Sequence, residues 1–531
     1  MKQFLLTVRE KTWKDLYLPL LVFLLVFTID KILLKFAGIA LLYLLHPDFK
    51  FRSNLRKIPL FYLLLLALEV LKFLLLNRDF SWGHTVSFLL GCVFWAISFL
   101  SLHQLRTIVD EVDKERIYRT LTVFFLINVG LSAWNLLLAM YHSGSLNPFA
   151  LEDRNYGNST GDLIKGLFLG PSYLNMMISS FFLFFYLYRG KIGLAFIALF
   201  VILLTSCNFG NIILVTVLIA CLIFGKNRRI RLSTAGFLAV VAGFYLLITP
   251  HNLEYLRDSI FVPKKQQQEL IAYEKKAIAD EKAHPAENTT ATTAKTGENV
   301  QGKTGKSPAA AQTAKAQTAR APLESEAAKK PGYSAADVDA LLAQPTTNIP
   351  DTQVTLTGKA GKLQSFKQTA QYLRSGVKPF LFGAGMGNFS SFLALRMAGV
   401  NKEEGSRLFT YLPSYTAPTF RANHYRIFQA IYGLPTEFHS AKHFPNSFLN
   451  QLFGEYGLVG ALLFLLTYVL FFFKRWRQLT YGRYLLFLLG GYLLFDYLFE
   501  YLSVVTVFEL LMFCDIHRAE SAGLPPQPGQ S

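Results

Sequence analysis

The chain has few cysteines, and none of them lies in a metal-binding pattern. The four cysteines are far apart, and no Cys-x-x-Cys or Cys/His pair has the spacing of a metal site. This excludes a disulfide scaffold and the common zinc sites, so we interpret the cysteines as small core residues. They are Cys92, Cys207, Cys221 and Cys514.

Charged residues are missing from long parts of the chain. Twelve apolar stretches, most of them roughly 15–25 residues long, match the length of a helix that crosses about 30 Å of hydrocarbon. The sequence therefore predicts an all-α polytopic membrane protein with about 12 spans. The first, second and last stretches are short, so the alternatives are 10 or 11 spans. The stretches are 16–29, 31–46, 58–76, 82–103, 120–141, 165–188, 191–207, 209–225, 232–249, 446–473, 484–500 and 503–516.

Acidic residues are fewer than basic ones, which gives a formal charge of +18. In a soluble protein this excess would suggest nucleic acid as a partner, but here the basic residues occupy alternate short loops, and we expect no nucleic-acid partner. By the positive-inside rule these loops are cytoplasmic, together with both termini. The charged N-terminal segment has no small-residue cleavage site and is interpreted as a retained cytoplasmic segment.

The same parity places a loop of about 190 residues outside the membrane. We divide the chain into a first membrane region (1–249), this large periplasmic loop (250–445), a second membrane region (446–516) and a cytoplasmic tail (517–531). Within the loop, residues 282–332 contain no aromatic side chain until the tyrosine that follows them. Such a composition cannot offset its ordering entropy, so a disordered insertion without catalytic residues is predicted here.

Polar residues concentrate where the loop returns to the membrane, in "KHFPNSFLNQLFGEYGLVG". On a helix, Asn446, Asn450, Gly454, Gly457 and Gly460 share one face. That face could admit a neighbouring helix closely or line a hydrated cavity. Glu455 falls near the outer boundary of the span, where an ionisable group usually needs a partner or a function.

Other polar groups precede this helix. The turn "LFGAGMGNF" is expected to be structural, with Asn388 or Ser390 capping the next helix. Cations alternate with aromatics around Arg421 and Arg426, which could bind phosphate or simply be solvated. In "KGLFLGPSYLN", Lys165 enters the interface, where a lysine commonly snorkels, and Asn175 lies deeper.

These motifs and their order resemble the O-antigen ligase and polymerase family, the Wzy/WaaL-type membrane glycosyltransferases. The resemblance covers about residues 120–475 in scattered pieces. It rests on "KGLFLGPSYLN", Gly361-Lys362 ahead of the proline, "LFGAGMGNF" and "NSFLNQLFGEYGLVG". The family's two important arginines correspond to Lys165 and Lys362, and its histidine position holds Pro445 or Asn446.

The resemblance implies a metal- and cofactor-independent enzyme in the bacterial inner membrane. It would move a glycan from undecaprenyl diphosphate to another glycan, a lipid A core or a glycoprotein, with other polysaccharide-assembly proteins as possible partners. His443 is the first candidate for the base, with His424 and His439 as alternatives, and Asn446 and Glu455 beside it. The diphosphate would contact a set of polar and basic residues: Lys165, Asn175, Lys362, Arg421, Arg426 and Asn450.

Two readings outside this class stay open. One is a transporter or flippase, for which the intramembrane charges, mainly Glu69, Asp496 and Glu500, are relevant, although the sequence shows no paired broken segments. The other is a non-catalytic member of a glycan-assembly complex, because the expected histidine is displaced. Polymerase and ligase share the same motifs, so the sequence does not separate them.

Overall fold

The computed structural model describes residues 15–29, 31–47, 55–76, 80–150, 160–168, 170–225, 227–249, 361–399, 415–432 and 444–521. Every regular element in these ranges is helical, which confirms the predicted all-α class. The predicted insertion at 282–332 and His443 lie outside the described residues, as does most of the predicted large loop.

The helices follow the apolar stretches of the sequence. Residues 1–249 contain α1 (Leu18–Phe27), α2 (Ile32–Leu45), α3 (Phe61–Leu76), α4 (Trp82–Glu111), α5 (Lys114–Ser143), α6 (Ser172–Tyr188), α7 (Ile192–Leu204), α8 (Asn208–Phe224) and α9 (Arg228–Leu247). Residues 446–521 contain α14 (Phe448–Phe473), α15 (Gly482–Tyr492) and α16 (Leu502–Ser521), and α16 continues five residues into the predicted tail.

Four of the described helices are long and apolar enough to cross a membrane, namely α4, α5, α9 and α14. Each of the twelve predicted stretches contains a helix, but several are shorter than a full span; α1, for example, has 10 residues. The membrane character therefore has support from length and composition, and the number of spans stays a prediction.

The core forms around α6 and α16. Nearly every residue of α6 is buried, because this helix carries apolar or small side chains on all sides. Its Phe181 ring packs against Phe508 of α16, with centroids 5.7 Å apart. Leucines on outer helices remain exposed, such as Leu44 at 78% and Leu75 at 70%, as expected for surfaces that face lipid.

Short helices cover one end of this bundle. They are α10 (Gly361–Arg374), α11 (Val377–Phe382), α12 (Phe392–Met397) and α13, in which Pro418–Phe420, the π-helical turn Arg421–Tyr425 and Arg426–Tyr432 are continuous. Both α10 and α11 pack on α14, and α12 packs on α4. The candidate site lies where these helices meet α14.

Candidate functional site

The helix α14 is broken in the middle. It begins after Ser447, whose side chain accepts a hydrogen bond from Leu449 N at 3.2 Å. At Gly457 the backbone turns to φ 63° and ψ −161°, a combination that essentially only glycine adopts. The continuous face predicted from Asn446 to Gly460 is therefore wrong: Asn446 precedes the helix, and Gly457 interrupts it.

A glycine turn docks on the backbone that this break exposes. Ala384 N donates to Gly454 O at 2.8 Å, and Gly385 N donates to Glu455 O at 2.9 Å. Gly383 has φ 67°, and a Cβ there would lie 2.5 Å from the carbonyl carbon of Glu455. The turn must be glycine-rich because the two backbones touch.

The carboxylate of Glu455 is fully buried and receives hydrogen bonds from the segment after this turn. Its Oε1 accepts from Ser391 Oγ at 2.7 Å, Ser390 N at 3.3 Å and Phe389 N at 3.4 Å. Ser391 Oγ also accepts from Ala394 N at 3.1 Å, so Ser391 caps α12. The prediction that Asn388 or Ser390 is the cap is therefore wrong, and the cap is the residue that follows Ser390.

His424 lies on the other side of the same segment. Its Nε2 is 3.1 Å from Ser365 O, and its Nδ1 is 2.7 Å from Ser390 Oγ. A carbonyl oxygen can only accept, so Nε2 carries the proton and Nδ1 accepts from the Ser390 hydroxyl. Tyr497 OH, 2.7 Å from Ser390 Oγ, then donates to it.

Burial controls the charge of this histidine. His424 is completely buried, and desolvation lowers its pKa to about 4, although the hydrogen bond to Ser365 O opposes the change. The imidazole is therefore neutral near pH 7, with a lone pair on Nδ1 that faces a hydroxyl.

Asn450 joins this group to α10. Its Nδ2 donates to Ser365 Oγ at 2.9 Å and to Pro445 O at 2.9 Å, while its Oδ1 accepts from Thr369 Oγ1 at 2.8 Å. We call the set Ser365, Thr369, Ser390, Ser391, His424, Asn450, Glu455 and Tyr497 the buried polar cluster. Its members come from α10, α13 and α14, the Gly383–Ser391 turn, and the connection between α15 and α16, which carries Tyr497.

Lys362 fixes the start of α10. Its Nζ lies 2.5 Å from Asn446 O, 2.8 Å from Phe495 O and 3.4 Å from Leu494 O. Desolvation lowers the pKa of Lys362 to about 8, with the Asp496 charge acting against it. The ammonium predicted to bind diphosphate is thus surrounded by main-chain carbonyls in this structure.

Asn175 and Lys165 lie outside the buried polar cluster. Asn175 is buried and accepts from Asn128 Nδ2 at 2.7 Å, while its own amide donates to Ser132 Oγ at 2.9 Å and Ile164 O at 3.1 Å. These bonds join α6 to α5 and to the 160–168 segment, and they give Asn175 a packing role. The side chain of Lys165, on that segment, is exposed.

Arg421 and Arg426 flank the histidine on α13, and both are partly buried. The structure thus brings Lys362, Asn446, Asn450 and Glu455 to one end of the bundle together with His424.

A second ionic group adjoins the helix break. Lys72 Nζ on α3 lies 2.6 Å from Glu69 Oε1, 2.6 Å from Phe382 O and 3.1 Å from Glu455 O. Glu69 Oε2 accepts from Met386 N at 3.1 Å. A cavity of about 80 Å³ opens beside this pair, with Lys378 and His84 also in its lining.

One group among the described residues has a metal-like geometry, formed by Asp110, His517 and Glu520. Its ligand atoms lie within 4.8 Å of one another. Arg106 already lies 2.9 Å from Asp110 and 3.0 Å from Glu520, so the acidic charge has a partner. The arrangement favours an ion-pair network over a metal centre.

Sequence reasoning missed Ser391, Tyr497 and Lys72 as site residues. It gave Ser390 only as a possible helix cap and Glu69 only as a charge that would suit a transporter. The serines follow a glycine turn that was interpreted as structural, and Tyr497 lies in an apolar stretch. Comparison with protein-family models, curated proteins and solved structures gives no match.

Proposed function

We propose that this protein is a metal-independent glycosyltransferase of the O-antigen polymerase or ligase type. It transfers a glycan from undecaprenyl diphosphate to an acceptor hydroxyl at the outer face of the bacterial cytoplasmic membrane. The observation that carries the proposal is the junction of two segments that the resemblance rests on. The Gly383–Ser391 turn and the start of α14 enclose Glu455, and a neutral histidine lies beside them.

The reaction needs a proton acceptor for the attacking hydroxyl. As the acceptor oxygen bonds to the anomeric carbon, the bond from that carbon to the diphosphate oxygen breaks, and the hydroxyl proton must leave. His424 Nδ1 would receive it through Ser390 Oγ, which already donates to it at 2.7 Å. Glu455 would hold the Ser390–Ser391 segment in place through its hydrogen bond with Ser391.

The leaving diphosphate needs positive charge nearby. Lys165 is exposed and can reach a ligand directly, whereas Lys362 would act mainly by holding the start of α10 against the segments before α14 and after α15. Arg421 and Arg426 would contribute from α13. His443 is the alternative base that the resemblance gives.

The membrane arrangement belongs to the same proposal. It has twelve spans, cytoplasmic termini and a periplasmic loop over 250–445 that ends at the site. A lipid-linked donor would then stay in the bilayer while its head group reaches the buried polar cluster.

The test uses the full chain in proteoliposomes with an undecaprenyl-diphosphate-linked glycan and an acceptor. His424→Asn and Glu455→Gln are expected to reduce transfer at least tenfold, and Lys165→Ala and Lys362→Ala to slow it. Arg228→Gln, at the exposed start of α9, is the matched control and should transfer normally. If Lys165→Ala and Lys362→Ala, normally inserted, transfer at the original rate, the proposed diphosphate site is wrong.

Cells lacking the protein would separate the two activities. Loss of a polymerase leaves single repeats on the acceptor, and loss of a ligase leaves polymer on undecaprenyl diphosphate. Unchanged glycans would exclude both.

The Glu69–Lys72 pair supports a second candidate, a polysaccharide-related transporter or flippase. Buried charges beside a broken helix are common at transport sites, and Lys72 contacts the carbonyl of Glu455 at 3.1 Å. Under this candidate Glu69→Gln would abolish substrate flux across the liposome membrane while no glycosidic bond forms in the wild type. A third outcome, with neither transfer nor flux, would favour a non-catalytic assembly partner.

A further inference from the structure

A second, larger cavity lies at the opposite end of the bundle from the buried polar cluster. It has a volume of about 770 Å³, in the range of roughly 300–1,000 Å³ typical of sites for whole small molecules. It opens between the start of α5 and the turn from α6 to α7. Its lining residues are Asp15, Leu16, Glu115, Tyr118, Arg119, Thr122, Val123, Tyr186, Arg189, Lys191 and Leu194.

The length of α6 gives the distance between the buried polar cluster and this cavity. Tyr173, in its first turn, contacts Asp496 beside the buried polar cluster. Arg189, just after its last residue, lines the cavity. Sixteen residues of helical rise separate them by roughly 24 Å. The cavity therefore lies at the other end of α6, the end that the basic loops predict to be cytoplasmic.

Three cations and two carboxylates line the cavity, which leaves one positive charge in excess. Arg189 stacks on Tyr118, with Cζ 3.7 Å from the ring centroid, and pairs with Glu115 at 3.2 Å. Arg119 pairs with Asp15. A guanidinium has five N–H donors, so each arginine keeps donors for a second anion after pairing with one carboxylate.

Lys191 adds a cation with no ion pair among the described residues. Its side chain is exposed at the rim of the cavity. Its position immediately before α7 places it level with the ends of the apolar helices.

The apolar part of the wall comes from Leu16, Val123 and Leu194, beside the hydroxyl-bearing side chains of Thr122 and Tyr186. A free inorganic anion would gain nothing from this wall. A lipid would place its phosphate among the cations and its glycerol and upper acyl carbons along the apolar side, which removes apolar surface from water.

We propose that this cavity binds the phosphate head group of an anionic phospholipid from the leaflet at this end of the bundle. The cations select a net negative head group over a zwitterionic one, and the apolar wall selects a lipid over a soluble phosphate. Basic pockets between helices at the cytoplasmic side of membrane proteins commonly bind such lipids. The site is independent of the glycan-transfer proposal.

The experiment measures phospholipid retained by the purified full chain, by native mass spectrometry after exchange into nanodiscs of phosphatidylglycerol or phosphatidylcholine. Wild type should retain phosphatidylglycerol in preference. Lys191→Gln should weaken that retention about fivefold, the effect of one basic residue near a membrane surface. Arg228→Gln removes an exposed cation that does not line the cavity and should leave retention unchanged.

A second variant tests the apolar wall without a change of charge. Val123→Trp fills the space beside Arg119 and should also reduce retention of phosphatidylglycerol. Equal retention by wild type, Lys191→Gln and Val123→Trp would overturn the proposal. So would inorganic phosphate that displaces the lipid or stabilises the protein equally at the same concentration, because the site would then be a simple anion site.

Discussion

The two ends of the helical bundle treat charge in opposite ways. At the buried polar cluster, Glu455 and His424 are fully buried and hydrogen-bonded to specific neighbours. At the larger cavity, which Arg119, Arg189 and Lys191 line, Arg119 and Asp15 form a pair in which each side chain is about half exposed, at 53% and 47%. The first arrangement holds backbone segments in place, because a buried polar group without a partner costs about 1–3 kcal/mol. The second leaves donors accessible to a ligand.

The ends do not differ in how far apart their residues are along the chain. At the cavity, Arg119 pairs with Asp15, 104 positions earlier, and Arg189 with Glu115, 74 positions earlier. The buried polar cluster joins Ser390 to Tyr497, 107 residues later, and Glu455 to Ser391, 64 residues earlier. The difference lies in burial: a lost partner at the fully buried cluster should disturb the whole site, whereas a lost partner at the exposed cavity is replaced by water.

The largest expected effect comes from Gly457→Ala. An added Cβ would lie 2.6 Å from Gly383 N and Leu381 C, in a backbone conformation nearly restricted to glycine. We expect a loss of about 3 kcal/mol or more. Thermal unfolding and size-exclusion chromatography in detergent would measure it. Gly490→Ala is the control, because its Cβ meets no atom within 4 Å. Equal behaviour of the two variants would contradict the tight backbone contact.

Next comes Glu455→Ala, for which we expect a loss of about 2 kcal/mol. It leaves the Ser391 hydroxyl and two backbone N–H groups without their acceptor. Glu455→Gln keeps one acceptor oxygen and should lose about half as much. Thermal unfolding of both variants in the same detergent provides the comparison. A Gln variant less stable than the Ala variant would show that the carboxylate does not act mainly as an acceptor.

A pH dependence of stability should distinguish the cluster end from the cavity end. The pKa of His424 falls from 6.5 to about 4 on folding. Between these pH values, the imidazole is therefore mostly protonated in the unfolded chain and mostly neutral in the folded chain. The contribution of His424 to the free energy of unfolding is fully present above pH 6.5. It decreases as the pH falls to 4, by up to about 3 kcal/mol, since one pKa unit corresponds to about 1.4 kcal/mol.

Unfolding measured from pH 7.5 to 4.5 tests this dependence. His424→Gln should flatten the part of the curve due to His424, whereas His142→Gln, at an exposed position near the end of α5, should not. Hydrogen bonds through Ser390 and Ser391 also link Glu455 and Tyr497 to His424. The difference between the pH dependences of the two variants therefore gives the contribution of the His424 side chain. Identical curves for wild type and His424→Gln would argue against a buried neutral imidazole.

The smallest effect is expected at the cavity. Arg119→Gln breaks an exposed ion pair and should cost less than about 1 kcal/mol, and the difference should disappear in 1 M salt. Unfolding at low and high salt would show this. A loss above about 2 kcal/mol that persists in salt would mean that this end is as tightly fixed as the other.

Local features of the fold could be predicted from the sequence. Each of the twelve apolar stretches contains a helix, and Ser447 precedes α14 near the predicted boundary. Apolar periodicity and length determine these features, and both are visible in a short window. Glu455, which the sequence predicts to need a partner or a function, has Ser391 as a hydrogen-bond partner.

The contacts of the site could not be predicted in the same way. Gly457 looks like a small residue on a helix face, and only the approach of Gly383 makes it a break. The resemblance predicts that Lys362 contacts a diphosphate, but three carbonyls from residues at least 84 positions away surround it. Such features depend on which distant segments meet, and no local pattern contains that information.

The break in α14 has a consequence for assembly. Within an unbroken helix, Gly454 O and Glu455 O would accept hydrogen bonds from the next turn; here Ala384, Gly385 and Lys72 supply those donors. Backbone groups left without partners in a bilayer are costly. We therefore expect α14 to enter the membrane as a continuous helix or a strained intermediate, and to take its final form only when the glycine turn docks. Insertion and maturation of this span would then be separate events in time.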